Sequence, residues 1–226
     1  MRKFWAYISN GKYSVGTTGQ TVYLYDKAGK ELNKFKDIIY AYTPMFSPDG
    51  KIFVVKSTDG RLAVYSTENR SLIKKFRFSK FDAAQDDGFC FSSDGKRFIN
   101  LENHGDDGLT WAVTVYDTKD FSIVSRTYLG ERALNYIEYD HETDEYYCMG
   151  CTPGVEGTDF VAKYKNNEIV DIRKYPQKDW CFNMSYFDLK MCGFTEKKYE
   201  WSYLKESLSD LKNMNLSIAD LYEKYK

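Results

Sequence analysis

Short runs of apolar residues alternate with turn residues along most of the chain. The clearest example is FSPDGK at residues 46–51, which recurs as FSSDGK at residues 91–96. In each copy an apolar run leads into an Asp-Gly pair, which supplies the positive φ angles of a tight turn, and a second apolar run follows. The pattern predicts a β-hairpin at both places and therefore an internal repeat.

Each predicted hairpin is followed by two further apolar runs, so the repeating unit has four strands. In the first copy the runs are 41–46, 52–55, 62–65 and 72–78, and in the second they are 88–91, 98–101, 113–117 and 122–128. Four antiparallel strands repeating at roughly 45 residues are typical of the blades of a β-propeller. Weaker copies predict further blades at residues 4–37 and 134–175.

The pattern changes towards the C-terminus. Apolar runs at 181–187 and 190–194 predict only a hairpin, which would be a partial fifth blade. After Thr195 apolar residues recur at helical spacing, and Ser217 followed by Asp220 predicts a capped helix start. The first helical stripe is Trp201, Leu204, Leu208 and Leu211, and the second is Ile218, Leu221, Tyr222 and Tyr225.

These patterns predict an all-β fold, a small β-propeller of four full blades plus a partial fifth, with a short C-terminal α-helical extension. The predicted boundaries are residues 1–195 for the propeller-like domain and 196–226 for the extension packed on it, with helix confined to the residues beyond Thr195. We expect the first stripe to cover the open edge of the fifth blade. The alternative is that the helices bind a partner or form a homodimer.

The repeated FSPDGK motif and the later Val-Tyr pairs, such as Val115-Tyr116, resemble the blades of WD-repeat and TolB-like β-propellers. The resemblance covers roughly residues 4–175 and is strongest at 38–129. It departs from the family pattern because Tyr25-Asp26 and Tyr116-Asp117 stand where Trp-Asp is usual. The resemblance implies a binding platform and assigns no catalytic residue.

Charge and cysteine content narrow the function classes. Among 226 residues, Lys and Arg number 32 and Asp and Glu 33, so the net charge of -1 favours neither nucleic acid nor an anionic membrane. A basic stretch at residues 70–80 is interpreted as an edge strand protected from aggregation, with a nucleic-acid groove as the alternative. No signal peptide or membrane span is evident, and five cysteines are an odd number, so we expect a cytoplasmic protein with free thiols.

Candidate metal sites are weak. Cys148 and Cys151 have the spacing of half a zinc site, but Cys181 and Cys192 lie too far apart to form a second close pair. The run HGDDG at 104–108 lacks the alternating carboxylates of a calcium loop. The sequence therefore predicts no metal and no other cofactor.

In propellers of this kind, the loops before the first strand and between the second and third strands of each blade form one face. On this chain that face is predicted to bind a ligand or partner, with Trp111 and Trp180 as aromatic anchors. The predicted face comprises Phe81, Asp86, Asp87, His104, Asp106, Asp107, Trp111, Arg132 and Trp180.

The function predicted first is a non-enzymatic protein-interaction module, a scaffold or adaptor whose partner is another protein. One alternative is a propeller that binds a small ligand or sugar by aromatic stacking. Another is a hydrolase or lyase that uses loop carboxylates at Asp86, Asp87, Asp106 and Asp107. A stoichiometric protein partner, a thermal shift with sugars and a thermal shift with calcium would favour these three in turn.

Overall fold

A computed structural model describes residues 2–79, 88–104 and 110–226. Within these ranges the chain is mostly β, and its strands form four four-stranded antiparallel sheets. In each sheet the strands lie side by side in chain order. The four sheets are called the first to fourth sheets below.

The strand bounds follow the predicted repeat. The first sheet contains β1 (Ala6–Ser9), β2 (Tyr13–Thr17), β3 (Val22–Asp26) and β4 (Glu31–Phe35). The second contains β5 (Ala41–Phe46), β6 (Ile52–Ser57), β7 (Arg61–Ser66) and β8 (Ser71–Arg77). The third contains β9 (Phe89–Phe91), β10 (Arg97–Asn103), β11 (Trp111–Asp117) and β12 (Ile123–Tyr128). The fourth contains β13 (Ala133–Asp140), β14 (Glu145–Cys151), β15 (Phe160–Lys165) and β16 (Glu168–Lys174).

The two Asp-Gly turns have the same structure. Gly50 and Gly95 have φ angles of 67° and 68°, in the region that glycine adopts without strain. In the first turn the Asp49 carboxylate accepts from the Lys51 backbone N–H at 3.0 Å, and Asp94 repeats this bond in the second turn. The backbone N–H of Lys96 and the hydroxyl of Ser92 lower the pKa of Asp94 to about 2. The repeat is therefore preserved in side-chain bonding as well as in sequence.

The chain divides into two compact units. The first comprises residues 1–85 and 185–213, and the second comprises 86–184 and 214–226. In the first unit a core between the first two sheets includes Val15, Leu24, Phe53 and Tyr65. In the second unit, residues such as Ile99 pack between the third and fourth sheets. This division by contacts differs from the predicted boundary between a domain at residues 1–195 and an extension packed on it, and that boundary stays a prediction.

The predicted partial fifth blade is wrong. Residues 181–187 and 190–194 do not form a hairpin, because most of them belong to helix α1 (Gln177–Met191). No Gly or Pro separates the two apolar runs, whereas Pro176 precedes the helix and Gly193 ends it. The N–H of Gly193 binds the carbonyl of Lys190, and the N–H of Phe194 binds that of Leu189, which is a Schellman motif. Helix is therefore not confined to residues beyond Thr195.

The predicted helical stripes have different outcomes. Only Leu208 and Leu211 of the first stripe lie in a helix, α3 (Leu208–Asn213); Trp201 and Leu204 follow α2 (Glu196–Glu200) and lie outside both helices, and Trp201 is 72% exposed. Only Leu211 of that stripe is fully buried, so the expected four-residue lid is wrong. The second stripe is confirmed in α4 (Ile218–Lys224), where Ser217 and Asp220 form a capping box and Ile218 is buried.

The segment after α1 contacts the edge of the first sheet. The N–H of Tyr7 in β1 donates to the Cys192 carbonyl at 3.0 Å, and the Thr195 hydroxyl donates to the Trp5 carbonyl at 2.7 Å. A β-carbon on Gly193, whose φ is +73°, would lie 2.0 Å from the Tyr7 carbonyl oxygen. This segment therefore protects an otherwise open strand edge, and it can approach so closely only with glycine.

Candidate functional site

The main polar cluster of the second unit is built on three neighbouring strands of the third sheet. Asn100 and Glu102 lie on the same face of β10, because side chains alternate along a strand. Asn100 is paired in register with Thr114 of β11, and Thr114 is paired with Arg126 of β12. Antiparallel register thus brings polar side chains from three strands together on one buried face.

The carboxylate of Glu102 is the centre of this cluster. The Glu102 side chain has no exposed surface. Five side chains surround it within hydrogen-bonding distance. They are Asn100 Nδ2 at 3.0 Å and the Tyr116 hydroxyl at 2.6 Å from Oε1, and His104 Nε2 at 2.6 Å, the Thr114 hydroxyl at 2.6 Å and Arg126 Nη2 at 3.2 Å from Oε2. We call these six residues the Glu102 cluster.

The hydrogen bonds decide the charge of Glu102. Burial alone would raise the pKa of this carboxyl, but donors led by His104 and Thr114 outweigh burial and hold the pKa below its usual value. Glu102 is therefore ionised at neutral pH and can only accept hydrogen bonds. It follows that His104 Nε2 carries the proton that it donates to Glu102. The tautomer and ring orientation of His104 are fixed by this bond.

His104 connects the buried cluster to the surface. Its side chain is 17% exposed, and its backbone N–H donates to the Thr110 carbonyl at 2.6 Å. Its ring meets that of Tyr128 edge to face at 6.1 Å, and Tyr128 is 59% exposed. Nearby in the sheet, Trp111 begins β11, and its indole N–H is buried without a partner among the described residues. We call His104, Trp111 and Tyr128 the His104 edge.

The second sheet carries a related pair at the equivalent place. Counting from the lysine of each Asp-Gly-Lys turn, Ser57 and Asp59 stand where Glu102 and His104 stand in the third sheet. The Ser57 hydroxyl donates to Asp59 at 2.5 Å, and the guanidinium of Arg61 also contacts this carboxylate. Both repeats thus fix the end of their second strand with a short side-chain bond.

The other predicted site residues are distributed along the chain. Arg132 is exposed in the turn before β13, where its N–H binds the Leu129 carbonyl. Trp180 is half-buried in α1 and meets Tyr175 edge to face at 5.7 Å. The remaining predicted residues lie outside the described part of the chain. They are Phe81, Asp86, Asp87, Asp106 and Asp107.

Sequence reasoning missed most of the Glu102 cluster. The predicted site residues did not include Asn100, Glu102, Thr114, Tyr116 or Arg126, although Asn100 and Glu102 stand two residues apart, at strand spacing. That spacing is the one available signal, because two polar residues on a single face of an otherwise apolar strand need partners when that face is buried.

The cysteines lie in different environments. Cys148 is fully buried in the core, Cys151 is half-buried at the end of β14, and Cys181 is exposed. Within the described ranges no three His, Cys, Asp or Glu side chains are grouped so that they could hold a metal ion. The absence of zinc stays a prediction, and metal analysis of the purified protein would test it. None of the described helices is both long and apolar enough to cross a bilayer.

Comparisons with known proteins give a fold and no family. No family model and no curated protein sequence matches the chain. A solved structure described as Kuenenia stuttgartiensis hydrazine synthase is similar, with a TM-score of 0.58 and 16% sequence identity. The match covers 74% of this chain and 52% of that chain, so this chain corresponds to about half of the other. At this identity the likeness concerns the fold alone.

The geometry limits the chemistry that this site can perform. Glu102 has no exposed surface, so it cannot itself exchange a proton with a bound substrate. Its chemical effect on a ligand must pass through His104, whose ring it orients, as carboxylates orient histidines in catalytic and metal sites. The site therefore offers a fixed imidazole beside two aromatic side chains. The His104 edge can contact a binding partner with the three side chains described, whereas catalysis would need additional reactive side chains beside His104.

Proposed function

We propose that the chain is a non-enzymatic protein-interaction module with a β-propeller-like arrangement, whose four sheets are its blades. The repeated motif, the four chain-ordered antiparallel sheets and the fold likeness support the arrangement. The resemblance to WD-repeat and TolB-like propellers points the same way and stays a prediction. In this proposal the His104 edge contacts the protein partner.

One observation carries the proposal: an exposed aromatic ring lies against a side chain that the buried cluster holds rigidly. Tyr128 is 59% exposed, and the His104 ring beside it is fixed by the 2.6 Å bond to Glu102. A residue that is already ordered loses little conformational entropy when a partner binds. Tyrosine is also among the residues that contribute most to protein interfaces.

The test is affinity capture with the full chain, comparing two substitutions on the same strand. Tyr128→Ala removes the exposed ring at one end of β12, and Ile123→Ala removes a side chain that is 52% exposed at the other end. We expect the wild type and Ile123→Ala to recover the same protein in stoichiometric amount. For Tyr128→Ala we expect a loss of about 2 kcal/mol in binding, roughly 30-fold in affinity.

Two results would contradict the proposal. One is the absence of any stoichiometric protein with the wild type, and the other is an equal loss for both substitutions. A thermal shift with sugars and no protein partner would favour the small-ligand alternative. The hydrolase or lyase alternative depends on carboxylates outside the described residues and would be favoured by a calcium-dependent shift. A cytoplasmic location stays a prediction.

A further inference from the structure

The described part of the chain buries three carboxylates, and one of them has no partner. Asp59 is bound by Ser57 and Arg61, and Glu102 is bound by the five side chains around it. Asp159 directly precedes β15 and is only 8% exposed, yet its carboxylate forms no hydrogen bond or ion pair with any described residue. Such a carboxylate is destabilised, because burial removes water that neither a donor nor a cation replaces.

Asp179 shows the difference that partners make to a carboxylate in the same region. Asp159 and Asp179 both act on the phenol of Tyr175. Asp179 accepts from the Tyr225 hydroxyl at 2.8 Å and lies 3.6 Å from Lys224 Nζ, and the bond from Tyr225 leads in lowering the pKa of Asp179. The pKa of Asp159 is instead raised, and burial is the cause.

Two lysines close to Asp159 along the chain and in the sheet do not neutralise it. Lys174 is paired in register with Phe160, the residue after Asp159, but its side chain is exposed and forms no ion pair in the described structure. Lys178 is also exposed, and its charge acts on Asp179. No described lysine or arginine therefore compensates the charge of Asp159, and a bound cation can do so.

Asp159 lies at the same end of the two sheets as the His104 edge. Strand β10 ends just before His104, β12 ends at Tyr128, and a short turn leads from Tyr128 into β13. Ala133 at the start of β13 is paired with Cys151 at the end of β14, and β15 begins directly after Asp159. A partner that contacts this end of the second unit therefore meets Asp159 on the same side as His104.

The surroundings of Asp159 favour a guanidinium over an ammonium group. The Asp159 carbonyl accepts from the Tyr175 N–H at 2.8 Å, and the Tyr175 ring meets the half-buried ring of Trp180 at 5.7 Å. A planar guanidinium stacks on aromatic rings and binds a carboxylate through two parallel N–H bonds. It is also more weakly hydrated than an ammonium, so it enters a nearly closed site at lower desolvation cost.

We propose that Asp159 binds an arginine side chain of the protein partner, with Trp180 as the aromatic wall of the site. The guanidinium would form the ion pair that Asp159 lacks. The Thr158 hydroxyl fixes the preceding loop by donating to the Val155 carbonyl at 2.7 Å, so the site is ordered before the partner binds. The source of the arginine rests on the proposed function, whereas the carboxylate site can be tested without the partner.

The site can be tested by NMR titration of the full chain with N-acetylarginine N-methylamide, and with the corresponding citrulline derivative as its neutral isostere. We expect saturable chemical-shift changes with the arginine derivative and about tenfold weaker binding of the citrulline derivative. Asp159→Asn should weaken binding of the arginine derivative about tenfold. Glu156→Gln removes an exposed carboxylate from the same loop, and binding should stay within about twofold.

Asp159→Asn also separates binding from folding. The substitution keeps the shape of the side chain and removes an uncompensated buried charge, so the melting temperature should not fall. A fall would show that the carboxylate has a structural partner and would overturn the proposal. The proposal is also overturned if the citrulline derivative or N-acetyllysine N-methylamide binds as tightly as the arginine derivative, or if both variants lose affinity equally.

Affinity capture tests the source of the arginine separately. Asp159→Asn should recover less of the protein that the wild type recovers, and unchanged recovery would show that the partner places no arginine at Asp159. If the wild type recovers no protein, the proposed function and this source are both contradicted. The titration with the arginine derivative still decides whether Asp159 is a guanidinium site.

Discussion

Glu102→Gln should strongly destabilise the second unit. The substitution keeps the shape of the side chain but replaces one acceptor oxygen by an NH₂ group, so donors that now bind that oxygen lose their acceptor. His104 and Thr114 donate to Oε2, and Tyr116 and Asn100 donate to Oε1. Whichever of these two positions the introduced NH₂ group takes, at least two donors then face another donor. The side chain is completely buried, so water cannot replace the lost bonds.

The expected magnitude follows from these bonds. Hydrogen bonds to a charged group contribute roughly 1.5–3 kcal/mol each, and disrupting a buried charge pair costs about 3–5 kcal/mol. The bond from Arg126 contributes less to stability than the others, because 26% of the Arg126 side chain is exposed and water screens its charge. We therefore expect the free energy of unfolding to fall by about 3–5 kcal/mol, measured by urea denaturation with tryptophan fluorescence.

A matched control is Glu145→Gln, which makes the same chemical change in the same unit. Glu145 pairs with Lys163, and both side chains are more than one-fifth exposed, at 29% and 25%. Pairs of this kind contribute about 1 kcal/mol or less. A loss below about 1 kcal/mol for Glu102→Gln, no larger than for the control, would refute the reasoning that the buried carboxylate holds the three strands together.

The pH dependence provides an independent check. The pKa of Glu102 is lower in the folded state than its ordinary value of 4.5, so its stabilising contribution is complete above that value. The contribution is lost as the pH falls through the folded pKa. The difference in unfolding free energy between wild type and Glu102→Gln should therefore be constant near neutral pH and shrink below about pH 4. A difference that grows on acidification would contradict an ionised Glu102.

Two further predictions concern other parts of the chain. Gly193→Ala should lower the free energy of unfolding, measured with denaturant, by about 2–4 kcal/mol, because the added β-carbon would meet the Tyr7 carbonyl. The control Gly29→Ala has a similar φ of +77° but open space around it, and it should lower that free energy by about 1 kcal/mol. Equal losses would contradict the contact with Tyr7. Cys181 is exposed and should react with a thiol reagent in the native protein. Cys148 is buried, and burial raises its pKa to about 12, so it should react only after denaturation. Rapid labelling of Cys148 in the native protein would contradict its buried position.

The repeat was predictable because its signals are local. Asp-Gly pairs at Gly50 and Gly95 require particular backbone angles, and apolar runs on either side require strands, so the hairpins follow from a few adjacent residues. The start of α4 was predictable for the same reason, since Ser217 and Asp220 cap it three residues apart. In the two hairpins and at the start of α4, the structure that the local residues favour is the one that the chain adopts.

Helix α1 and the Glu102 cluster were not predictable in the same way. The apolar runs around Tyr186 and Phe187 are short, so periodicity alone does not distinguish a buried strand from a buried helix, and the signals at Pro176 and Gly193 are needed. Glu102 alone suggests a solvated residue. Its burial depends on Thr114 and Arg126, which are distant in sequence and become neighbours only through strand register.

The closure of the first sheet edge also has a consequence for synthesis on the ribosome. The bond between Thr195 and Trp5 joins residues separated by 190 positions. The first sheet ends at Phe35, so at about 5–20 residues per second the roughly 160 residues that follow up to Thr195 take about 8–32 s to make, and the nascent sheet lacks its covering segment for that time. During that interval the backbone groups of β1 are open to pairing with another nascent chain, so chaperone demand should be greatest early in translation.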